Sequence, residues 1–190
     1  MGYNRRAIAL KKCAENVVGE YGGTLPRDPA MLATFPGIGP ATASSICAFA
    51  FDLPVVFIET NIRRVFIHSF FLEKESVTDK EILPLVECAL DRENPRVWYW
   101  ALMDYGAALK KTVPNPNRKS SAYTKQAPFE GSDRRIRGQI LKLLLKKPGL
   151  DRNGISTALQ EDPKRVDRLL ELLKKERFLV CDSGRFCLAG

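Results

Sequence analysis

The chain has 190 residues, with 30 Lys and Arg against 22 Asp and Glu for a formal net charge of +8; this length holds one domain with a core, or one domain and a small second. No apolar run approaches the ~20 residues of a membrane helix, and Met1-Gly2-Tyr3-Asn4-Arg5-Arg6 lacks the apolar stretch of a signal peptide, so a membrane-free, cytoplasmic protein is expected. The excess charge lies late: residues 105–129 hold five basic side chains and no acidic one, and residues 130–190 hold 14 against nine, which points to a polyanionic partner or to a surface with surplus lysine.

Met1–Glu20 reads as a helix with Ala7, Leu10, Ala14, Val17 and Val18 on one face, ended by Gly22-Gly23. Asp28-Pro29 caps a short helix through Leu32-Ala33, and Thr42–Phe51 is a nearly all-apolar helix broken by Asp52-Leu53-Pro54. The apolar run Val55–Ile58 leads to Glu59-Thr60-Asn61-Ile62-Arg63-Arg64-Val65, which opens a helix through Phe71. Asp79–Leu90, with Thr78 as its N-cap, and the aromatic-rich Pro95–Leu109 are two more helices. Thr112–Phe129 has three prolines and no apolar period and reads as a linker or extended arm. Beyond it come amphipathic helices over 133–146, 153–159 and 163–177 and a hairpin over 178–188, together similar to a winged helix. Cys47 and Cys88 fall in apolar helical patterns and are expected in the core with Trp98 and Trp100; Cys181 and Cys187 flank the hairpin and are expected neither to pair nor to bind metal. His68, the one histidine, reads as a packed or surface residue.

The stretch Leu32-Ala33-Thr34-Phe35-Pro36-Gly37-Ile38-Gly39-Pro40-Ala41-Thr42-Ala43 carries the chemistry that organises the rest. It reads helix, tight turn, helix. Its glycines supply backbone freedom, Pro40 suits a first helical turn, and the free N–H groups at the second helix's start suit a phosphate. The pattern resembles a helix-hairpin-helix. About 20 residues on, Glu59 places a carboxylate at a helix start, and Trp100-Ala101-Leu102-Met103-Asp104-Tyr105-Gly106-Ala107 is similar to a Met-Asp-x-Gly-Ala helix. With three motifs in order, residues 1–110 resemble the helix-hairpin-helix DNA glycosylase superfamily, near its adenine glycosylase and endonuclease III branches.

The resemblance implies a mainly α protein: a partial glycosylase domain over 1–111, a basic Pro-rich arm over 112–129 and a winged-helix-like module over 130–190. It implies base-excision repair of double-stranded DNA, with nucleoid association, by a monofunctional glycosylase; adenine opposite 8-oxoguanine is the favoured substrate. The alternative is a non-catalytic DNA-binding relative. Glu59 would stabilise the oxocarbenium-like sugar or activate water, with Asn61 orienting it; Glu59 also reads simply as a carboxylate favoured by the helix dipole. Gly37, Ile38, Gly39, Ala41 and Thr42 would hold a phosphate through the backbone, with a monovalent cation able to assist as in the family. Arg63 and Arg64 would meet phosphates or pair with acids on the same surface. Lys110, Lys111, Lys164, Arg165 and Arg168 are further candidate backbone contacts.

Three departures shape these expectations. The family's Asp is here Glu59, one methylene longer. The lyase-competent members carry Lys where this chain has Ala41, so no Schiff-base amine is expected there. Many members hold an iron–sulfur cluster just after the Met-Asp-x-Gly-Ala helix, yet residues 107–130 contain no Cys, so no cluster is expected; the basic Lys110, Lys111, Arg118, Lys119 and Lys125 stand there instead. The family also builds part of its barrel from helices upstream of Gly2-Tyr3-Asn4-Arg5-Arg6-Ala7, which predicts an exposed apolar groove that a second copy or another chain could fill.

Overall fold

A computed structural model describes residues 4–125 and 128–189; Gly2-Tyr3 of the opening segment and Gln126-Ala127 of the expected linker lie outside these. The chain divides into two compact units, one of residues 8–125 and one of residues 126–190 that also includes residues 1–7.

The larger unit is helical: α1 (Asn4–Glu20), which begins before the unit does, α2 (Pro29–Leu32), α3 (Pro40–Phe51), α4 (Thr60–Phe70), α5 (Asp79–Ala89) and α6 (Pro95–Thr112). Its core joins α4, α5 and α6 through Ile62, Phe66, Ile67, Ile82, Val86 and Tyr99. Tyr99 stacks on Phe57 with ring centroids 4.4 Å apart and donates its hydroxyl to the Val55 carbonyl at 2.8 Å, so the extended run before Glu59 is pinned from α6; burial pushes the Tyr99 phenol up to about 12. The join between α3 and α6 is also specific. Asp52 ends α3 in the left-handed conformation and its carboxylate accepts from the Arg96 amide at 3.0 Å, which satisfies a donor at the start of α6. At the start of α5, Thr78 donates through both its amide and its hydroxyl to the Glu81 carboxylate.

Helix α1 differs from the expected face. Leu10 and Val18 are exposed, whereas Cys13 is buried and its thiol meets the Pro36 carbonyl at 3.3 Å. The surface that packs on the hairpin is therefore narrow, and Leu10 and Val18 of the expected apolar face lie outside it. Cys88 and Trp100 are corrections of the same kind: both are exposed, because α5 and α6 bury the neighbouring positions Val86 and Tyr99 instead. Trp98 packs against the core as expected.

The stretch expected as an arm is ordered in its first half. A short 3-10 turn, Pro116–Lys119, packs on α4 with Pro116 and Asn117 buried, and Ser120 bridges Val77 in parallel.

The smaller unit consists of α7 (Asp133–Lys146), α8 (Arg152–Leu159), α9 (Pro163–Lys175) and an antiparallel hairpin, β1 (Leu179–Asp182) and β2 (Arg185–Leu188). Leu150, between α7 and α8, bridges Phe186 of β2. Its core is Ile136, Ile140, Leu144, Ile155, Val166, Leu169, Leu170, Leu173, Leu179 and Phe186, so the apolar stripe of α9 faces inward as its period requires. No helix among the described residues is long and apolar enough to cross a membrane.

Candidate active site

The hairpin forms where the glycines allow it. Asp28 caps α2 by accepting from the Ala30 amide at 2.9 Å. Gly37 takes φ +76°, and a Cβ on it would lie 2.8 Å from the Ala9 Cβ, so both conformation and proximity to α1 exclude a side chain. Gly39 caps α3 in extended conformation with no side-chain hydrogen bond, and Pro40 follows in the first turn. Nothing lies within 4 Å of a Cβ placed on Gly39; its glycine leaves the backbone open to solvent rather than relieving strain. Gly37, Gly39, Ala41 and Thr42 are exposed, and Ile38 packs inward against Leu32, Ala43 and Cys47.

Glu59 is the N-cap of α4, half-buried, with one carboxylate oxygen, Oε1, accepting from the Asn61 amide at 2.5 Å and the Ile62 amide at 2.9 Å. The resemblance implies Asp at this position. The longer side chain folds back over the helix end, so the added methylene does not carry the anion away from the helix N-terminus. The two amide N–H groups and the positive end of the helix dipole face Oε1. Neither hydrogen bond uses Oε2.

Beneath Glu59 lies a polar cluster. The Asn61 side chain does not reach Glu59: its Oδ1 accepts from the Arg64 guanidinium at 2.6 Å, and its Nδ2 approaches the Met103 sulfur at 3.9 Å. Asn61 therefore meets Glu59 through its backbone N–H, while its side chain faces Arg64 and Met103. Arg64 is buried, and its guanidinium donates to Asn61 Oδ1, to the Gly106 carbonyl at 2.5 Å and to Asn115 Oδ1 at 3.4 Å. All three acceptors are neutral. Its expected phosphate contact gives way to this internal role, because its donors face protein acceptors and its surface is covered. Gly106 explains the helix motif: a Cβ there would lie 2.6 Å from the Asn61 carbonyl oxygen and 2.7 Å from the Asn61 Cβ. Only glycine lets α6 approach the first turn of α4 this closely.

Arg63 resolves the other way expected of it, as an ion pair. Its guanidinium grips Asp79 through two 2.7 Å bonds. That contact raises the Arg63 pKa, with the charge of Glu59 adding to the effect, and holds the Asp79 carboxyl below its ordinary value. Asp79 also lines an open cleft of about 240 Å³ with Pro40, Ala41 and Ser44 of α3, Leu83 of α5 and Val56, Phe57 and Ile58. The cleft thus joins the hairpin helix to the segment that ends at Glu59. Neither Asp79 nor Asn115 was signalled as a site residue by sequence pattern, since each reads as an ordinary helix-start or loop polar residue.

The remaining candidates separate by surroundings. Lys110 and Lys111 are exposed in the last turn of α6. In the smaller unit, Lys164 is exposed, but Arg165 and Arg168 both pair with Asp133, at 2.7 and 2.6 Å.

A positioned carboxylate at a helix start, a Gly-x-Gly hairpin and a glycine-dependent helix contact are the features by which the chain resembles the helix-hairpin-helix DNA glycosylases, and relatives named adenine DNA glycosylase and thymine/uracil-DNA glycosylase, enzymes that hydrolyse N-glycosyl bonds, support that superfamily. Among named relatives, the chain is 29% identical along its full length to the adenine DNA glycosylase of Mycolicibacterium smegmatis, of which it spans 71%. It is 27% identical along its full length to the adenine DNA glycosylase of Mycobacterium tuberculosis, spanning 69% of it. A thymine/uracil-DNA glycosylase of Methanothermobacter thermautotrophicus matches 56% of the chain at 29% identity, over 49% of its own length. No protein-family profile matches the chain.

Proposed function

We propose that this protein removes a mispaired or damaged base from double-stranded DNA by hydrolysis of the N-glycosyl bond, with adenine opposite 8-oxoguanine as its substrate. The observation that carries this reading is the state of Glu59: a carboxylate held by two backbone amides through one oxygen, with the other free. Bond cleavage builds positive charge on the deoxyribose once the base is turned out of the stack. A fixed anion needs no reorganisation to stabilise that charge or to orient water. The exposed hairpin backbone at Gly37, Gly39, Ala41 and Thr42 is suited to hold a phosphate beside it, with a monovalent cation able to assist, and so to fix the strand. Ala41 offers no amine, which favours simple hydrolysis over strand cleavage.

The adenine preference is supported by the adenine DNA glycosylases that match this chain from end to end, whereas the thymine/uracil enzyme matches about half of it. In the smaller unit the three helices, the hairpin and the Leu150–Phe186 bridge support a winged-helix-like arrangement. The test is single-turnover excision by the 190-residue chain on duplexes carrying A opposite 8-oxoguanine, T opposite G and U opposite G. Excision of adenine alone is expected. Salt-sensitive binding of all three without excision would instead establish the non-catalytic alternative.

A further inference from the structure

We propose that residues 114–121 form a strap that sets the position of the first turn of α4, and with it Glu59, with Asn115 and Asn117 as its positioning residues. The inference rests on the reading of Glu59 as the acting carboxylate.

The strap meets α4 at both ends. At the first turn, Asn117, 4% exposed, donates its Nδ2 to the Thr60 carbonyl at 2.9 Å. Asn115 Oδ1 accepts from the Asn117 amide at 3.2 Å and from Arg64 Nε at 3.4 Å, and Arg64 in turn holds Asn61. Thr60 and Asn61, in the turn that supplies both amides to Glu59, are thus restrained directly and through Arg64. At the other end, Lys119 donates its Nζ to the Leu72 carbonyl at 2.6 Å and to that of Phe71 at 3.4 Å, where a cation suits the helix dipole. Backbone bonds from Val77 to Lys119 at 2.8 Å and from Ser121 to Val77 at 2.9 Å fix the strap between these contacts. Pro114 and Pro116 narrow its backbone freedom.

Packing alone does not account for Asn117. Its Oδ1 is buried without a hydrogen-bond partner, a costly state for an amide; an apolar side chain would fill the space without that cost. What the amide adds is the bond to Thr60. The position is also informative in the superfamily, where many members hold an iron–sulfur cluster directly after the helix equivalent to α6. The residues here do not fit one. No Cys occurs between Cys88 and Cys181, the strap's hydrogen-bonding side chains are the Asn115 and Asn117 amides, the Lys119 amine and the Ser120 hydroxyl, and Pro116, Asn117 and Ser120 are packed residues. Among the described residues no group of three His, Cys, Asp or Glu converges to bind a metal.

Hydrogen exchange and excision, measured on the full chain and on Asn117→Ala and Asn117→Asp, test this. In Asn117→Ala the amides of Asn61 and Ile62 should exchange at least ~10-fold faster while those of α3 keep their wild-type rates. Single-turnover excision should fall ~10-fold or more with duplex affinity unchanged, because the carboxylate moves and the hairpin does not. An ionised aspartate at 117 cannot donate to the Thr60 carbonyl but a protonated one can, so the deficit of Asn117→Asp relative to wild type should shrink as pH falls towards 5. Wild-type exchange at Asn61 and Ile62 in Asn117→Ala overturns the proposal, as does an Asn117→Asp deficit that does not change with pH. If Asn117→Ala does not fold, Asn115→Ala, at a half-buried position, takes its place with the same expectations. The exchange arm decides the strap even if Glu59→Gln retains excision, an outcome that would remove the reading of Glu59 and leave the strap standing.

Discussion

The smaller unit pairs its arginines with carboxylates, and the larger unit does so at Arg63 and Asp79 but not at Arg64 or Glu59. In the smaller unit the arginines meet carboxylates: Arg165 and Arg168 share Asp133, Arg152 meets Asp167 and Glu171, and Arg137 meets Glu176. In the larger unit a buried arginine, Arg64, is held by three neutral oxygens, and Glu59 is held by two backbone amides with an oxygen to spare. Charge that is neutralised internally holds a fold together; charge balanced by neutral dipoles keeps its field for a ligand. The unit with the larger surplus of basic residues is therefore not the one that holds the proposed catalytic carboxylate, and net charge by itself directs attention to α9.

The contrast can be broken at its tightest point by Gly106→Ala. A Cβ must displace the first turn of α4. Overpacking of ~3 kcal/mol, offset by ~1 kcal/mol of helix propensity, predicts a net loss of about 2 kcal/mol. A displacement of Glu59 by about 1 Å predicts excision lowered ~10²-fold, read by denaturant melts and single-turnover assays. Arg64→Lys should come next. A point charge cannot serve three acceptors set around a planar guanidinium, so stability should fall by about 1–2 kcal/mol and excision ~10-fold.

Acid titration gives a smaller effect with a definite sign. The Lys74 ammonium and the Thr78 donors hold the Glu81 carboxyl down at about 2, and Arg63 lowers that of Asp79. Groups depressed in the folded state stabilise it above their unfolded pKa and lose that contribution as pH falls through the folded value. Thermal melts should therefore decline as pH drops from about 4.5 towards about 2, and Glu81→Gln should flatten the decline. Smallest of all, Arg168→Ala removes one exposed partner of Asp133 and should change stability by no more than ~1 kcal/mol, with excision unaltered. A large loss of duplex affinity in that variant would blur the contrast by giving α9 a direct part in DNA binding.

Much of the larger unit was legible in the sequence because its signals are local. Pro36-Gly37-Ile38-Gly39-Pro40 dictates a turn by backbone chemistry, and Glu59 stands where an apolar extended run meets a helical period. What was not legible depends on side-chain hydrogen bonds across distant segments. Arg63 and Arg64 are adjacent and identical, yet one lies on the α5 side and the other is buried against α6; only the helical phase relative to neighbours separates them. The segment 113–121 has no apolar period because amides and backbone bonds order it, so a hydrophobic reading sees a linker. The face of α1 was misread because apolar residues mark a surface that can be covered, not one that is. The mid-helix glycine at Gly106 was the one available sign of close approach, since glycine in a helix costs ~1 kcal/mol relative to alanine.

The most direct test of the account is single-turnover excision of adenine opposite 8-oxoguanine by wild type and Glu59→Gln, with duplex affinity measured in parallel. A glutamine oxygen can still accept from the Asn61 and Ile62 amides, so the helix cap is kept and only the charge is removed. Excision should fall by ~10³-fold with affinity within about twofold of wild type, since the hairpin is untouched. Excision by Glu59→Gln at the wild-type rate would contradict it.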